Sequence, residues 1–234
     1  MPSTLRILSA GAAQAVVEQI IVPFKRDTGA EIVADFGAVG AMKVRVVADE
    51  PVDVIVLSRA LIDELVAQAY VSAETVCDLG KVGTGVAVRA GTPSPNVSNA
   101  EALRASLLAA SVIVCPDPAI ATAGKIVVRL MQSLGIGDQV RTRLRFFPNG
   151  YAAMKWLAQS AGTHEIGITQ NTEILPNKGV AYVGPLPESF QMKTVYTVGV
   201  AARSQNAALA RDFVARLTAT ELRSSLKAAG YELD

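Results

Sequence analysis

The sequence predicts an α/β protein whose mainly parallel sheets are flanked by helices, and three observations carry that prediction. Apolar runs of strand length alternate with segments of helix length along nearly the whole chain, the pattern that lays helices over the faces of a parallel sheet. The run over residues 52–57 is apolar except for Asp53, as expected of a strand covered on both faces. Four turns from strand into helix are built of small residues and contain glycine.

Residues 4–8 read as the first strand, followed by Ser9-Ala10-Gly11-Ala12-Ala13 and a helix over 14–28 that Gly29 is placed to stop. Residues 31–36 form a second strand. The turn Gly37-Ala38-Val39-Gly40 leads into a helix through Val47, and a helix over 60–68 follows the third strand. Beyond the surface turn cluster at 91–96 the alternation resumes: helix 100–109, strand 111–115, helix 124–133, strand 143–147, helix 151–160. Short strands at 166–169 and 180–183, a strand at 195–202 and C-terminal helices over 207–229 complete the chain.

Size and charge narrow the function. The 234 residues are half apolar, enough for one large domain or two intertwined lobes. Lys and Arg number 22 against 21 acidic residues, so no broad positive field exists to attract nucleic acid or an acidic membrane surface. Cys77 and Cys115 lack CxxC spacing, which argues against zinc and against a disulfide framework; Cys115 reads as a buried thiol. No metal or cofactor is expected. No run approaches a membrane span, and the N-terminus has no signal-peptide pattern. The expected location is therefore the cytoplasm, or the periplasm if an export signal has been removed.

The four glycine-bearing turns are Ser9 to Ala13, Gly37 to Gly40, Ala121-Thr122-Ala123-Gly124 and Asn149-Gly150. In open α/β sheets, ligands sit beyond the carboxyl ends of the strands, where helix starts offer N–H groups and the positive end of the dipole. Small residues let the backbone approach an anion.

With Leu8-Ser9-Ala10-Gly11-Ala12-Ala13, Asp35-Phe36-Gly37-Ala38-Val39-Gly40 and Asp53-Val54-Ile55-Val56-Leu57-Ser58, the chain resembles the molybdate-binding-type periplasmic solute-binding proteins. Asp117-Pro118, Ala123-Gly124-Lys125, Pro185-Leu186-Pro187 and Tyr196-Thr197-Val198-Gly199-Val200 extend the resemblance in order over nearly the whole chain. It implies a two-lobed type II periplasmic-binding fold: lobe I of residues 1–83 and 196–234, lobe II of 84–195, and hinge crossovers near 81–87 and 192–198. It also implies closure of an interlobe cleft over a ligand, and a membrane permease as partner if the protein is exported. A monomer is expected.

Departures from the family pattern bear on the ligand. The family places a hydroxyl in each of the first two turns, where Ala12 and Val39 stand here, and a tyrosine near the position of Gln170. Arg59 follows Ser58 where a small residue is usual. A buried tetrahedral oxyanion needs its oxygens matched by donors, whereas Arg suits a carboxylate. The expected ligand is a di- or tricarboxylate. The candidate ligand-binding residues are Gly11, Ala12, Ala13, Gln14, Val39, Gly40, Lys43, Ser58, Arg59, Thr122, Ala123, Gly124, Lys125, Gly150, Tyr151 and Gln170.

Structural roles compete with these: Arg59 and Lys43 as solvated helix residues, Thr122 as a cap for a helix near Gly124, Gln170 as a structural amide and Asp53 as part of a buried strand. Two other functions remain open. One is an isomerase of an unsaturated tricarboxylate resembling aconitate isomerase, with Lys43, Glu165, Glu173 or His164 as the base; no catalytic residue is assigned. The other is an intracellular ligand-sensing module.

Overall fold

The computed structural model describes residues 3–233. They divide into two compact units, one running to Val82 and resuming at Thr194, the other comprising Gly83–Lys193. Unit one opens with β1 (Thr4–Ala10), a 3-10 turn at Gly11–Ala13 and α1 (Gln14–Thr28). It continues through β2 (Glu31–Gly37), α2 (Val39–Val47), β3 (Val54–Ser58), α3 (Arg59–Ala67) and β4 (Cys77–Val82). Unit two holds β5 (Thr84–Arg89), α4 (Ala100–Ala109), β6 (Val112–Pro116), α5 (Thr122–Ser133) and the single turn α6 (Gly137–Val140). After these come β7 (Leu144–Phe147), α7 (Gly150–Gln159), β8 (Glu165–Gln170), the short α8 (Asn171–Ile174) and β9 (Val180–Pro185). The chain returns to unit one through β10 (Thr194–Val200), α9 (Ala207–Leu217), α10 (Arg223–Ala228) and β11 (Tyr231–Glu232).

Both sheets are mixed, which corrects the expectation of mainly parallel ones. Unit one has the strand order β11-β4-β10-β3-β1-β2 and unit two β7-β6-β8-β5-β9. The strands that feed helices are parallel: β1 with β2 and β3, and β6 with β7 and β8. The strands that enter or leave a unit, β4, β5 and β10, pair antiparallel with their neighbours. β4 and β5 were not anticipated. β4 reads Cys-Asp-Leu-Gly-Lys-Val, half exposed, so it lacks the apolar signature of a covered strand.

The parallel strands account for the helix positions. β3 is buried at every residue, and α1 turns Val16, Val17, Ile20 and Phe24 inward at helical spacing. Phe24 meets Phe213 of α9 edge-on at 5.1 Å. Gly29 ends α1 in the left-handed region, φ 68°, its N–H donating to the Lys25 carbonyl. In unit two, α5 presents Ile126, Val127, Leu130 and Met131 to one core, and Ala153, Met154 and Leu157 of α7 enter another. Cys115 is buried and Cys77 exposed, both as free thiols. Desolvation pushes the Cys115 thiol up to about 12, so it stays neutral.

Among the described residues no helix is long and apolar enough to cross a membrane.

Gly124 has a packing reason of its own. A Cβ there would lie 2.4 Å from the Pro116 carbonyl oxygen and 2.6 Å from the Pro118 nitrogen, both backbone atoms. Overpacking of this kind costs about 1–3 kcal/mol, so Gly124→Ala is expected to lower the urea midpoint accordingly. An unchanged midpoint would show that the loop after β6 yields without cost.

Candidate functional site

Parallel pairing aligns the carboxyl ends of the strands. In unit one Ala10 pairs with Gly37 and Ser9 with Val56, so β1, β2 and β3 end at one edge and α1, α2 and α3 start there. In unit two Pro116 pairs with Phe147 and Val114 with Gly167, which brings the starts of α5, α7 and α8 to one edge in the same way.

The sequence candidates fall on these two edges. Gly11, Ala12 and Ala13 form the 3-10 turn before α1, and Gln14 opens that helix with its side-chain amide on Glu18 at 2.9 Å. Val39 and Gly40 are the first residues of α2, Lys43 lies one turn further on, and Ser58 and Arg59 join β3 to α3. In unit two Thr122, Ala123, Gly124 and Lys125 form the first turn of α5, Gly150 and Tyr151 begin α7, and Gln170 ends β8, buried. The helix starts at Thr122 after Ala121, so Thr122 is not a cap for a helix near Gly124.

Side-chain capping separates these helix starts from one another. The residues before the 3-10 turn, α1, α2, α3 and α5 are Ala10, Ala13, Ala38, Ser58 and Ala121, and none accepts a capping hydrogen bond on its side chain. Forgoing a cap costs about 1 kcal/mol at each start and leaves N–H donors directed outward. Away from these edges α6, α9 and α10 also lack side-chain caps, whereas α4 is capped by Asn99, whose side chain accepts from Ala102 N–H at 2.9 Å. The start of α7 is filled as well: Asn149 Oδ1 accepts from Ala152 N–H at 2.8 Å, and Glu173 Oε1 accepts from Gly150 N–H at 3.2 Å.

Charges on the unit-one edge come in pairs. Lys43 is bonded to Glu64. Arg59 donates from Nε to Asp63 and from Nη1 to Asp78, each at 2.9 Å. Asp78 is in turn held by the Thr197 hydroxyl at 2.6 Å. The Arg59 side chain is 45% exposed, so an incoming carboxylate would reach Nη2 and compete with two aspartates for the rest of the fork. Lys125 on the unit-two edge is exposed and has no ion pair among the described residues.

The other candidates lie elsewhere. Asp53 is structural: its carboxylate accepts from Arg6 N–H at 2.8 Å and from the Ser204 hydroxyl at 2.6 Å. His164 and Glu165 sit at the start of β8, opposite Gln170. Five strand steps of about 3.3 Å separate Glu165 from Gln170, roughly 16 Å. A pocket of about 310 Å³ in unit one, lined by Arg6, Asp49, Asp53 and Arg203 among others, is also at a strand-start edge. Arg203 bonds Asp49 there at 2.6 Å, Glu50 and Asp53 add further carboxylates to the lining, and its position opposite the uncapped helix starts argues against it as the anion site.

Sequence reasoning missed one residue that shapes the first turn. The Tyr231 hydroxyl donates to the Ala12 carbonyl at 3.2 Å, and its ring packs edge-on to Tyr196 at 6.5 Å. The two positions are 219 residues apart, so no local pattern announces the bond. Glu173 had been considered only as a base, yet it is buried within the α7 turn. Burial drives its carboxyl above the usual range, opposed by hydrogen bonds from Thr169 and from the Gly150, Tyr151 and Gln170 backbone.

With this geometry in hand, comparison with known proteins identifies the family. The family model for bacterial extracellular solute-binding proteins matches residues 5–232. The chain belongs to that family. An aconitate isomerase of a Pseudomonas species is 25% identical over 98% of this chain and 88% of its own length. The periplasmic molybdate-binding protein of Azotobacter vinelandii superposes with a TM-score of 0.80 at 19% identity, covering 98% of this chain and 99% of the other. The sulfate-binding protein SubI of Mycobacterium tuberculosis gives 0.73 at 18% identity, covering 98% and 86%. These likenesses establish the type II periplasmic-binding fold for this solute-binding protein.

Removing the Tyr231 hydroxyl tests how the first turn is held. Tyr231→Phe is expected to destabilise the protein by about 1 kcal/mol, measured by chemical denaturation, with the far-ultraviolet dichroism unchanged. No loss of stability would mean that the Ala12 carbonyl finds water equally good.

Proposed function

We propose that this solute-binding protein takes up a small organic anion, a di- or tricarboxylate, as the receptor of an ABC-type importer. Each unit offers donors for an anion at its own helix-start edge. The observation that carries this reading is the set of helix starts without side-chain caps at α1, α2, α3 and α5, flanked by Lys43, Arg59 and Lys125. Uncapped starts supply N–H donors and positive dipole ends to an anion.

The carboxylate preference comes from which donors are missing. Ala12, Val39 and Gln170 bring no hydroxyl, so a compact tetrahedral oxyanion would leave lone pairs unmatched. A molecule with two or three carboxylates carries its charge at separated ends, which suits separated helix starts and cations. The same reading makes a membrane permease the protein partner, places the protein outside the cytoplasmic membrane, and takes it to be a monomer.

A second reading, an isomerase of an unsaturated tricarboxylate, draws support from the aconitate isomerase relative, whose match extends over 98% of this chain. It requires a base within reach of a C–H bond. Lys43 is engaged by Glu64, His164 and Glu165 lie at the far edge of their sheet from the helix starts, and Glu173 is buried with its two oxygens on Gly150 N–H and the Thr169 hydroxyl. Binding without turnover is thus the better supported of the two.

Thermal shift against citrate, cis-aconitate, succinate and molybdate distinguishes the ligands. A tricarboxylate or dicarboxylate should raise the melting temperature more than molybdate at equal concentration, and the reverse order would overturn the assignment. Arg59→Ala should weaken the best ligand about tenfold, a modest loss because Arg59 is partly exposed and already paired. Incubation with cis-aconitate followed by proton NMR should show no trans isomer; its appearance would favour the isomerase.

A further inference from the structure

Two carboxylates are buried among the described residues, Asp53 and Glu173. Asp53 joins β1 and β3 to the loop at Ser204. Glu173 has a different setting. Its Oε1 accepts from Gly150 N–H at 3.2 Å and its Oε2 from the Thr169 hydroxyl at 2.5 Å. The backbone at Tyr151 and Gln170 also favours its charged form, against the effect of burial. With Asn149 taking Ala152 N–H, two of the first three donors of α7, those of Gly150 and Ala152, end on the chain's own side chains.

This is the arrangement in which a helix start holds a bound anion, and here the anion is part of the protein. Gly150 is required for it: a Cβ at that position would lie 2.0 Å from Glu173 Oε2 and 2.0 Å from Thr169 Oγ1. The neighbouring start of α5 has neither a side-chain cap nor an internal carboxylate, since Ala121 precedes it.

We propose that Glu173 is a specificity-determining residue: it occupies the anion seat at the start of α7 and so directs a ligand's anionic group to the start of α5. Gly150 shapes the turn without donating its N–H group to ligand. The proposal deepens the anion-binding reading and rests on it for its ligand. A compact dianion, which would draw on several donors at one place, loses the α7 seat. A carboxylate that needs only the α5 start and Lys125 loses nothing.

The test combines two variants. Calorimetric titration of the wild type and E173Q with citrate, cis-aconitate, sulfate and molybdate reads selectivity. Thermal unfolding of E173A in sodium acetate, against sodium chloride of equal ionic strength, reads the seat itself, because acetate matches the deleted Cγ and carboxyl group. Removing the internal charge and releasing donors predicts about tenfold tighter binding to E173Q, with the largest gain for sulfate and molybdate. It also predicts a rise in the melting temperature of E173A with acetate that the wild type does not show. Unchanged affinities and rank order in E173Q, with E173A indifferent to acetate, would overturn the proposal and leave the anion-binding reading standing. If the wild type binds none of the four anions, that reading falls; acetate rescue of E173A would then still support an internal anion seat, and its absence would refute it.

Discussion

Backbone donors at helix starts are the constraint on which the rest of this protein is arranged. Parallel strands β1, β2 and β3 end together, as do β6, β7 and β8, so the helices that follow begin side by side on each sheet. A helix start carries N–H groups with no partner inside the helix. Most proteins cap them with Ser, Thr, Asp or Asn. Here alanine precedes α1, α2 and α5, and Ser58 precedes α3 without capping it. Stability is given up at those positions, and what is kept is a set of donors fixed by the sheets and pointing the same way within each unit.

Charge is handled with the same economy. Positive side chains on the unit-one edge are matched by carboxylates of the same unit, Lys43 by Glu64 and Arg59 by Asp63 and Asp78. On the proposed reading a ligand would exchange partners with these groups, and its net gain would be smaller than a bare cation would give. The near-zero overall charge, +1, fits a protein whose attraction for anions is local. In unit two the matching goes further at α7, where Glu173 is buried against the helix start.

The fold was legible because its signals are local and repeated. The burial of β3 is written in Val54-Ile55-Val56-Leu57, and the end of α1 in Gly29, which takes φ 68°. Helix starts were less legible: α5 begins at Thr122 where the sequence suggested Gly124, and α3 at Arg59 where it suggested Ala60. Neither start carries a side-chain cap to mark it. The helix-start edges proposed for the site were readable from glycine-bearing turns. The partners of the charged residues were not: Arg59 meets Asp78 19 residues away and Tyr231 meets Ala12 219 residues away, and only the folded chain brings them together. The antiparallel β4 and β5 were also hidden, because they take their places from pairing with β10, β8 and β9.

The central claim, that uncapped backbone donors hold the ligand, is tested most directly by assigning the amide resonances and titrating the protein with the organic acid that stabilises it most. The account predicts downfield proton shifts at the N–H groups of Ala12, Val39, Gly40 and Ala123, with Ala102 at the capped start of α4 unmoved. Shifts confined to the Arg6 and Arg203 pocket, with the helix-start amides unchanged, would contradict it.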